Sequence, residues 1–186
     1  DHFILDEAEL TLPPFLADLA TGKAAGIYRS DEKPDLSQTP VPQWSLIDMR
    51  QYSSMNIQFS RGCPFNCEFC DIVVLFGRKP RTKSGLQIIA ELNALYDTGW
   101  RSGVFFVDDN LIGNKRKLKE EILPALIEWQ QRKGHPFVFS TEASINIADD
   151  EELLEMITKA GFDTVFIGIE TPNPASLAEC DKGQNE

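Results

Sequence analysis

From Met55 onward the apolar residues alternate between two spacings, every second position and every third or fourth. The first spacing is that of strands and the second that of amphipathic helices. Met55 to Phe59 predicts a strand in which Ile57 and Phe59 share a face. Ser84 to Asp97 predicts a helix with an apolar stripe of Ile88, Ile89, Leu92, Leu95 and Tyr96, stopped by Gly99. Gly103 to Val107 is apolar throughout, as strands buried on both faces of a parallel sheet are. Leu118 to Lys133 places Leu118, Ile122, Leu126 and Trp129 on one helical side, with Pro124 expected to kink or split it. Phe137 to Ser140 predicts a third strand. Asp149, followed by Glu152, predicts the cap of a helix whose Leu153, Met156, Ile157 and Ala160 pack inward before Gly161. Thr164 to Ile169 predicts the fourth strand, and Asn173 with Pro174 the cap and first turn of a last helix.

Regular alternation of strand and helix predicts an α/β fold with a parallel sheet and right-handed crossovers. In such sheets chemistry gathers at the carboxyl ends of the strands. A cysteine-rich loop follows the first strand, Asp108-Asp109-Asn110 the second, Glu142 the third and Glu170 the fourth. Polar groups at every strand end predict one shared site. Upstream, Glu9 to Leu19 predicts a short helix with Phe15, Leu16 and Leu19 as its apolar face and Gly22 as its stop. Residues 24–48 hold Pro34, Pro40 and Pro42 among polar residues, and predict an interdomain linker or an irregular surface strap.

With 186 residues and 42% hydrophobic content the chain can bury an ordinary domain core. Its 18 basic and 29 acidic residues leave a net charge of -11, which offers no footprint for nucleic acid or an anionic membrane surface. No apolar run approaches the roughly 20 residues that cross a bilayer, so no integral membrane segment is expected. The first residue is Asp1 and the last helix begins shortly before Glu186, so a piece of a longer protein is expected.

Of the four cysteines, Cys63, Cys67 and Cys70 lie together in Ser60-Arg61-Gly62-Cys63-Pro64-Phe65-Asn66-Cys67-Glu68-Phe69-Cys70. Clustering of this kind suggests a metal framework rather than disulfides, and with it a reduced, cytoplasmic setting. Structural zinc takes four protein ligands and ordinary iron–sulfur clusters four thiolates, so three thiolates leave one cluster iron open. The alternative is a zinc knob, or three unrelated thiols. Cys180 could in principle add a ligand, but reads as an ordinary residue of the last helix. Glu142 and Glu170 end apolar strands, where a carboxylate is costly unless it is paired or faces a polar ligand. Arg78, Lys79 and Arg81 suit either a carboxylate or phosphate, or a solvated loop; Lys115, Arg116, Lys117 and Lys119 read as a solvated helix face.

This cysteine spacing, with Phe69 just before the last thiol, resembles the signature of radical S-adenosylmethionine (SAM) enzymes. Arg61-Gly62-Cys63-Pro64-Phe65-Asn66-Cys67, Val107-Asp108-Asp109-Asn110 and Gly168-Ile169-Glu170-Thr171 more narrowly resemble the cobalamin (B12)-binding-domain-containing branch. That branch includes hopanoid-modifying and Mg-protoporphyrin cyclase-like enzymes. The resemblance implies a partial TIM-like (β/α) barrel with about four strand-helix units, fewer than the family's usual complement. It places the C-terminal end of a B12-binding-like domain at residues 1–22, a linker at 23–53 and a truncated radical SAM core at 54–186. It further implies a [4Fe-4S] cluster on Cys63, Cys67 and Cys70, whose open iron binds SAM.

Phe69 then lies near the adenine, or simply packs against the barrel. Asp108 and Asp109 together either receive the SAM ammonium, in place of the more common Gly-Gly-Glu, or form a turn and cap before Asn114. Glu142 and Glu170 contact the ribose or methionine moiety, or form salt bridges within the barrel. The implied activity is reductive cleavage of SAM to a 5'-deoxyadenosyl radical that modifies, by methylation among other outcomes, an unactivated carbon. A lipid or tetrapyrrole-like small molecule would be the substrate and flavodoxin or ferredoxin the electron donor. Alternatives are a methylthiotransferase and a non-catalytic zinc module. The branch's cobalamin-ligating histidine motif is absent, since His2 and His135 do not sit in it, so cobalamin is expected only in a full-length parent. An incomplete barrel would leave the cluster weakly protected.

Overall fold

The computed structural model describes residues 1–185, and the chain divides into two compact units at Pro40 and Val41. In the first unit, strand β1 (Phe3–Ile4) and helix α1 (Ala8–Ala20) lead to strand β2 (Ile27–Tyr28), which pairs parallel with β1. Phe15 lies 5.3 Å from the ring of His2 and 5.4 Å from that of Tyr28. The Tyr28 hydroxyl donates to Asp18 at 2.8 Å. Phe15 thus faces the sheet as expected, whereas Leu16 and Leu19 are about half exposed, because two strands are too narrow to cover the whole apolar stripe.

The second unit holds strand β3 (Ser54–Ile57), strand β4 (Ser60–Arg61), helix α2 (Ile72–Phe76), strand β5 (Arg81–Thr82) and helix α3 (Gly85–Asp97). Strand β6 (Gly103–Phe106), helix α4 (Lys115–Lys117), helix α5 (Leu123–Lys133) and strand β7 (Val138–Glu142) follow. Helix α6 (Glu151–Ala160), strand β8 (Phe162–Phe166) and helix α7 (Pro174–Glu179) complete it. The central sheet is β3-β6-β7-β8, every pairing parallel, while β4 and β5 form a separate antiparallel pair.

Alternation along the strands fixes what each sheet face carries. Val104, Phe106 and Phe139 are buried with Ile88, Leu92, Leu126 and Trp129 of the helices, and the rings of Phe106, Phe139 and Phe162 meet at 5.0 to 5.3 Å. The opposite face carries the register row Asn56, Phe105, Ser140 and Thr164. Phe105 and Val107 are therefore only half buried, and β6 is not covered equally on both sides. The Ser140 face continues to Glu142, which stands in register with Phe166. One register shift between Phe139 and Ser140 absorbs Asp163 as a bulge on β8.

Local signals explain the helix ends. Ser84 and Gln87 form a reciprocal capping box at α3. Pro124 does split its helix: a π-helical turn, Leu118–Ile122, precedes α5, and the proline occupies the first turn of α5, where no amide donor is needed. Asn173 caps α7 through Ala175 and Ser176. The cap of α6 is Asp150 rather than Asp149. Asp150 accepts from the Leu153 amide at 3.0 Å, while Asp149 closes the 3-10 turn Ile145–Asp149 and its carboxylate is not in capping position. Lys119 bonds Asp150 and Glu152, and Lys115 donates to the Asn146 carbonyl. These two lysines thus brace neighbouring segments, Lys117 is half-buried and pairs with Glu121, and only Arg116 of that run is largely solvated.

Candidate active site

The cysteine loop leaves the carboxyl end of β3 and is closed at its base by the β4–β5 pair, with Ser60 opposite Thr82 and Arg61 opposite Arg81. Gly62 is strained for any other residue: its φ is +98°, and a Cβ there would stand 2.8 Å from the Gly77 carbonyl. Within the loop, the Cys63 amide donates to Gly77 and the Cys70 amide to Cys67, at 3.3 and 3.0 Å. Gly62→Ala is therefore expected to cost about 1–3 kcal/mol of strain and to shift Cys63. The check is iron bound per chain after anaerobic reconstitution, which should drop while circular dichroism stays unchanged.

The Asp108-Asp109-Asn110 triplet reaches from β6 across to this loop, one side chain to each successive stretch of it. Asp108 accepts from the Phe59 amide at 3.1 Å, from the Ser60 hydroxyl at 2.6 Å and from the Ser60 amide. It is buried, and burial pushes its carboxyl up to about 6, against the lowering effect of those donors. Asp109 accepts from the Gly62 amide at 2.7 Å. Asn110 donates to Cys63 Sγ at 3.9 Å and to the Ser144 hydroxyl at 3.0 Å, and accepts from the Ser144 amide. The two aspartates, inseparable in sequence, are thus distinct in structure: Asp108 is closed off from solvent, while Asp109 lines a cavity.

That cavity, of about 200 Å³, is bounded by Cys63, Cys67, Cys70, Phe69, Asp109, Glu142 and Glu170. Every residue singled out for the site reaches it except Asp108. All three thiols are free, and burial raises the pKa of Cys63, opposed by the Phe65 amide and Asn110 and reinforced by Cys67 and Cys70. Glu142 is exposed at the rim and forms no ion pair among the described residues. Glu170, at a φ of +63°, pairs with Lys182 at 2.5 Å, the salt bridge expected as its alternative role, and it also lines the cavity. Of the loop's basic residues, Arg78 donates to the Pro64 carbonyl and Arg81 to that of Phe76.

Three polar residues at the cavity carried no sequence signal: Ser144, Lys182 and Gln184. Gln184 donates to Cys67 Sγ at 3.3 Å, the Glu68 amide donates to the Cys180 carbonyl at 3.0 Å, and Asn66 donates to Asp181 at 3.1 Å. The segment after α7 is thereby laced to the cysteine loop. Cys180 itself turns its thiol to the Leu177 carbonyl.

Among the described residues, no three His, Cys, Asp or Glu side chains close on the position of a single ion. Residues 57–186 match the family described as the radical SAM superfamily. The chain belongs to the radical SAM superfamily. It is 54% identical over 185 residues to an uncharacterized methyltransferase of Synechocystis sp., covering 100% of this chain and 34% of that protein. It is 41% identical over 180 residues to the hopanoid C-2 methylase of Rhodopseudomonas palustris, covering 97% of this chain and 34% of the methylase. The chain therefore spans about a third of the length of these relatives. A solved structure of the radical SAM methyltransferase TsrM from Kitasatospora setae, with tryptophan substrate and a SAM analogue bound, aligns with a TM-score of 0.62 at 16% identity. That alignment covers 69% of this chain and 24% of TsrM, and it establishes the shared fold. Radical SAM membership brings a [4Fe-4S] cluster and SAM as cofactors, and a cavity walled by three free thiols and three carboxylates has the donors such a pair requires. The sheet of four parallel strands is part of the TIM-like barrel expected for the family. No helix is long and apolar enough to cross a membrane among the described residues.

Proposed function

We propose that this chain is the catalytic core of a radical SAM enzyme that modifies an unactivated carbon of a small molecule, with methylation as the favoured outcome. The observation that carries this reading is the opening of the cysteine loop into the same cavity as Asp109, Glu142 and Glu170. Cys63, Cys67 and Cys70 hold the cluster. When bound, the cluster supplies the electron that cleaves SAM into methionine and a 5'-deoxyadenosyl radical. The chain's own residues orient the cofactor and exclude water. Asp109 receives the ammonium group in this reading, and Asp108 acts behind it by holding the loop entrance. Phe69 packs near the adenine, and Glu142 and Glu170 take the ribose and methionine portion. Asn110 and Gln184 donate to cysteine sulfurs, an interaction by which proteins tune cluster potential.

Relatives named as methylases support methylation, and the hopanoid methylase supports a lipid-like substrate, with a tetrapyrrole-like one as the second class. The parallel β1–α1–β2 unit supports the end of a B12-binding-like domain at the start of the chain, but it runs through Tyr28, past residue 22 and into the 23–53 stretch expected as linker, ahead of a catalytic core at 54–186. Cobalamin then belongs to the full-length parent. The electron donor is an external carrier of the flavodoxin or ferredoxin kind, and the setting is cytoplasmic. The test is anaerobic incubation of the reconstituted, reduced protein with SAM, followed by chromatography. Formation of 5'-deoxyadenosine is expected; stoichiometric zinc with no iron, or iron with no nucleoside product, counts against the assignment.

A further inference from the structure

We propose that a small acidic electron-carrier protein docks on the face formed by Val74, Leu75, Arg78 and Lys79, a reading that rests on the cofactor assignment above and places its external donor. In that assignment SAM and substrate fill the cavity, so a donor has to reach the cluster from another side. Electron tunnelling falls off steeply with distance, so that side must lie close to the cluster thiols. None of the four residues is among the described residues bounding the cavity, yet all lie within nine positions of Cys70.

The face is fastened to the thiol ligands at both ends. Helix α2 begins two residues after Cys70. At its far end the Gly77 carbonyl accepts from the Cys63 amide at 3.3 Å, and the Arg78 guanidinium donates to the Pro64 carbonyl at 3.1 Å. Gly77 and Arg78 therefore stand one hydrogen bond from the backbone of Cys63 and Pro64.

The chemistry of the face is that of an interface. All five residues of α2 are apolar and none is fully buried; Val74 is 80% exposed and Leu75 52%. Apolar surface left open in this way marks a contact site. Between Asp71 and Glu91 the chain carries four bases and no acid, although acids outnumber bases 29 to 18 overall. Of the four, Lys83 is buried against Glu91, and Arg81 is half-buried and donates to the Phe76 carbonyl. That leaves Arg78 and Lys79, both exposed, as the charges of the rim, while Glu68 and Asp71 precede the face in the chain. The net charge of -11 repels an acidic carrier elsewhere, and this face attracts it, which orients the approach and raises its rate. An apolar centre with a small charged rim suits the limited, short-lived contact of redox partners. In the step it serves, the carrier loses one electron and the oxidised cluster gains it, with no bond made or broken.

The test uses cluster-loaded protein with flavodoxin as the carrier. Anaerobic titration calorimetry with oxidised flavodoxin measures binding. Formation of 5'-deoxyadenosine is driven either by reduced flavodoxin or by dithionite, a small reductant that needs no docking face. Lys79→Glu and Val74→Asp are each expected to weaken flavodoxin binding about tenfold and to slow flavodoxin-driven product formation by a similar factor. Iron content and the dithionite-driven rate should match wild type. Wild-type binding should weaken as salt rises. Lys159→Glu, the same charge change on α6, should leave binding unchanged. If Val74→Asp does not fold, Val74→Ser gives the same comparison. Flavodoxin that does not bind wild type, undiminished binding in either variant, or equal weakening by Lys159→Glu overturns the docking face alone. A wild-type protein that loads iron and yields no 5'-deoxyadenosine with dithionite overturns the cofactor reading, and this one with it.

Discussion

Alanine in place of Cys63, Cys67 or Cys70 is expected to abolish the iron–sulfur absorption of the reconstituted protein, each substitution alone being sufficient. A cubane with three protein thiolates has no spare ligand, and losing one exposes a second iron to solvent. The loop geometry offers no substitute. Cys180 is the fourth free cysteine, but its thiol is turned to the Leu177 carbonyl and only its backbone carbonyl engages the loop, at Glu68. Cys180→Ala should accordingly retain iron, sulfide and the visible band. Iron and sulfide analysis of the four variants decides the matter. Equal loss on removing Cys180 would falsify the open-iron arrangement and favour a carrier with four protein thiolates.

The next largest effect is expected at Asp108. Asp108→Ala leaves the Phe59 amide, the Ser60 amide and the Ser60 hydroxyl without their acceptor in a buried setting. At about 1 kcal/mol or more for each stranded donor, destabilisation of about 3 kcal/mol is expected in urea unfolding. The carboxyl also gives a pH signature. Its folded pKa is raised from 3.8 to about 6, so the folded chain holds the proton more tightly than the unfolded chain. The stabilisation is complete below pH 3.8 and is lost as pH rises through about 6, amounting to about 3 kcal/mol. Asp108→Asn cannot titrate. Measured as the difference between wild type and Asp108→Asn, stability should fall from pH 4 to pH 7; a flat or rising difference contradicts the burial argument.

These two sites also mark how far the sequence could be read. The three thiols lie within eight residues and their ligand count is chemical, so the cluster and the alternation of strand and helix were legible without coordinates. Asp108 and Asp109 were not separable, because their roles depend on which oxygen meets Phe59, Ser60 or Gly62 across a neighbouring strand. Adjacent aspartates misled again at α6, where the preceding 3-10 turn moved the cap from Asp149 to Asp150. Lys182 and Gln184 left no trace because their partners, Glu170 and Cys67, meet them only through folding of the segment after α7. Helix α1 failed in the opposite sense. Its stripe was visible, but periodicity does not tell how much of a stripe its neighbours cover, and Leu16 and Leu19 stay open.

The position of β8 at the end of the sheet carries a consequence of its own. Among the described residues its backbone is paired with β7 alone; its last residue, Phe166, is 67% exposed, and Ile169 beyond it 58%. Such a border is a template for any extended polypeptide that can match it. Phe166, Gly168 and Glu170 belong to the cavity wall, so a polypeptide annealed along this border also covers that side of the cavity. Colloidal behaviour and access to the cavity are thereby governed by the same row of amides and carbonyls.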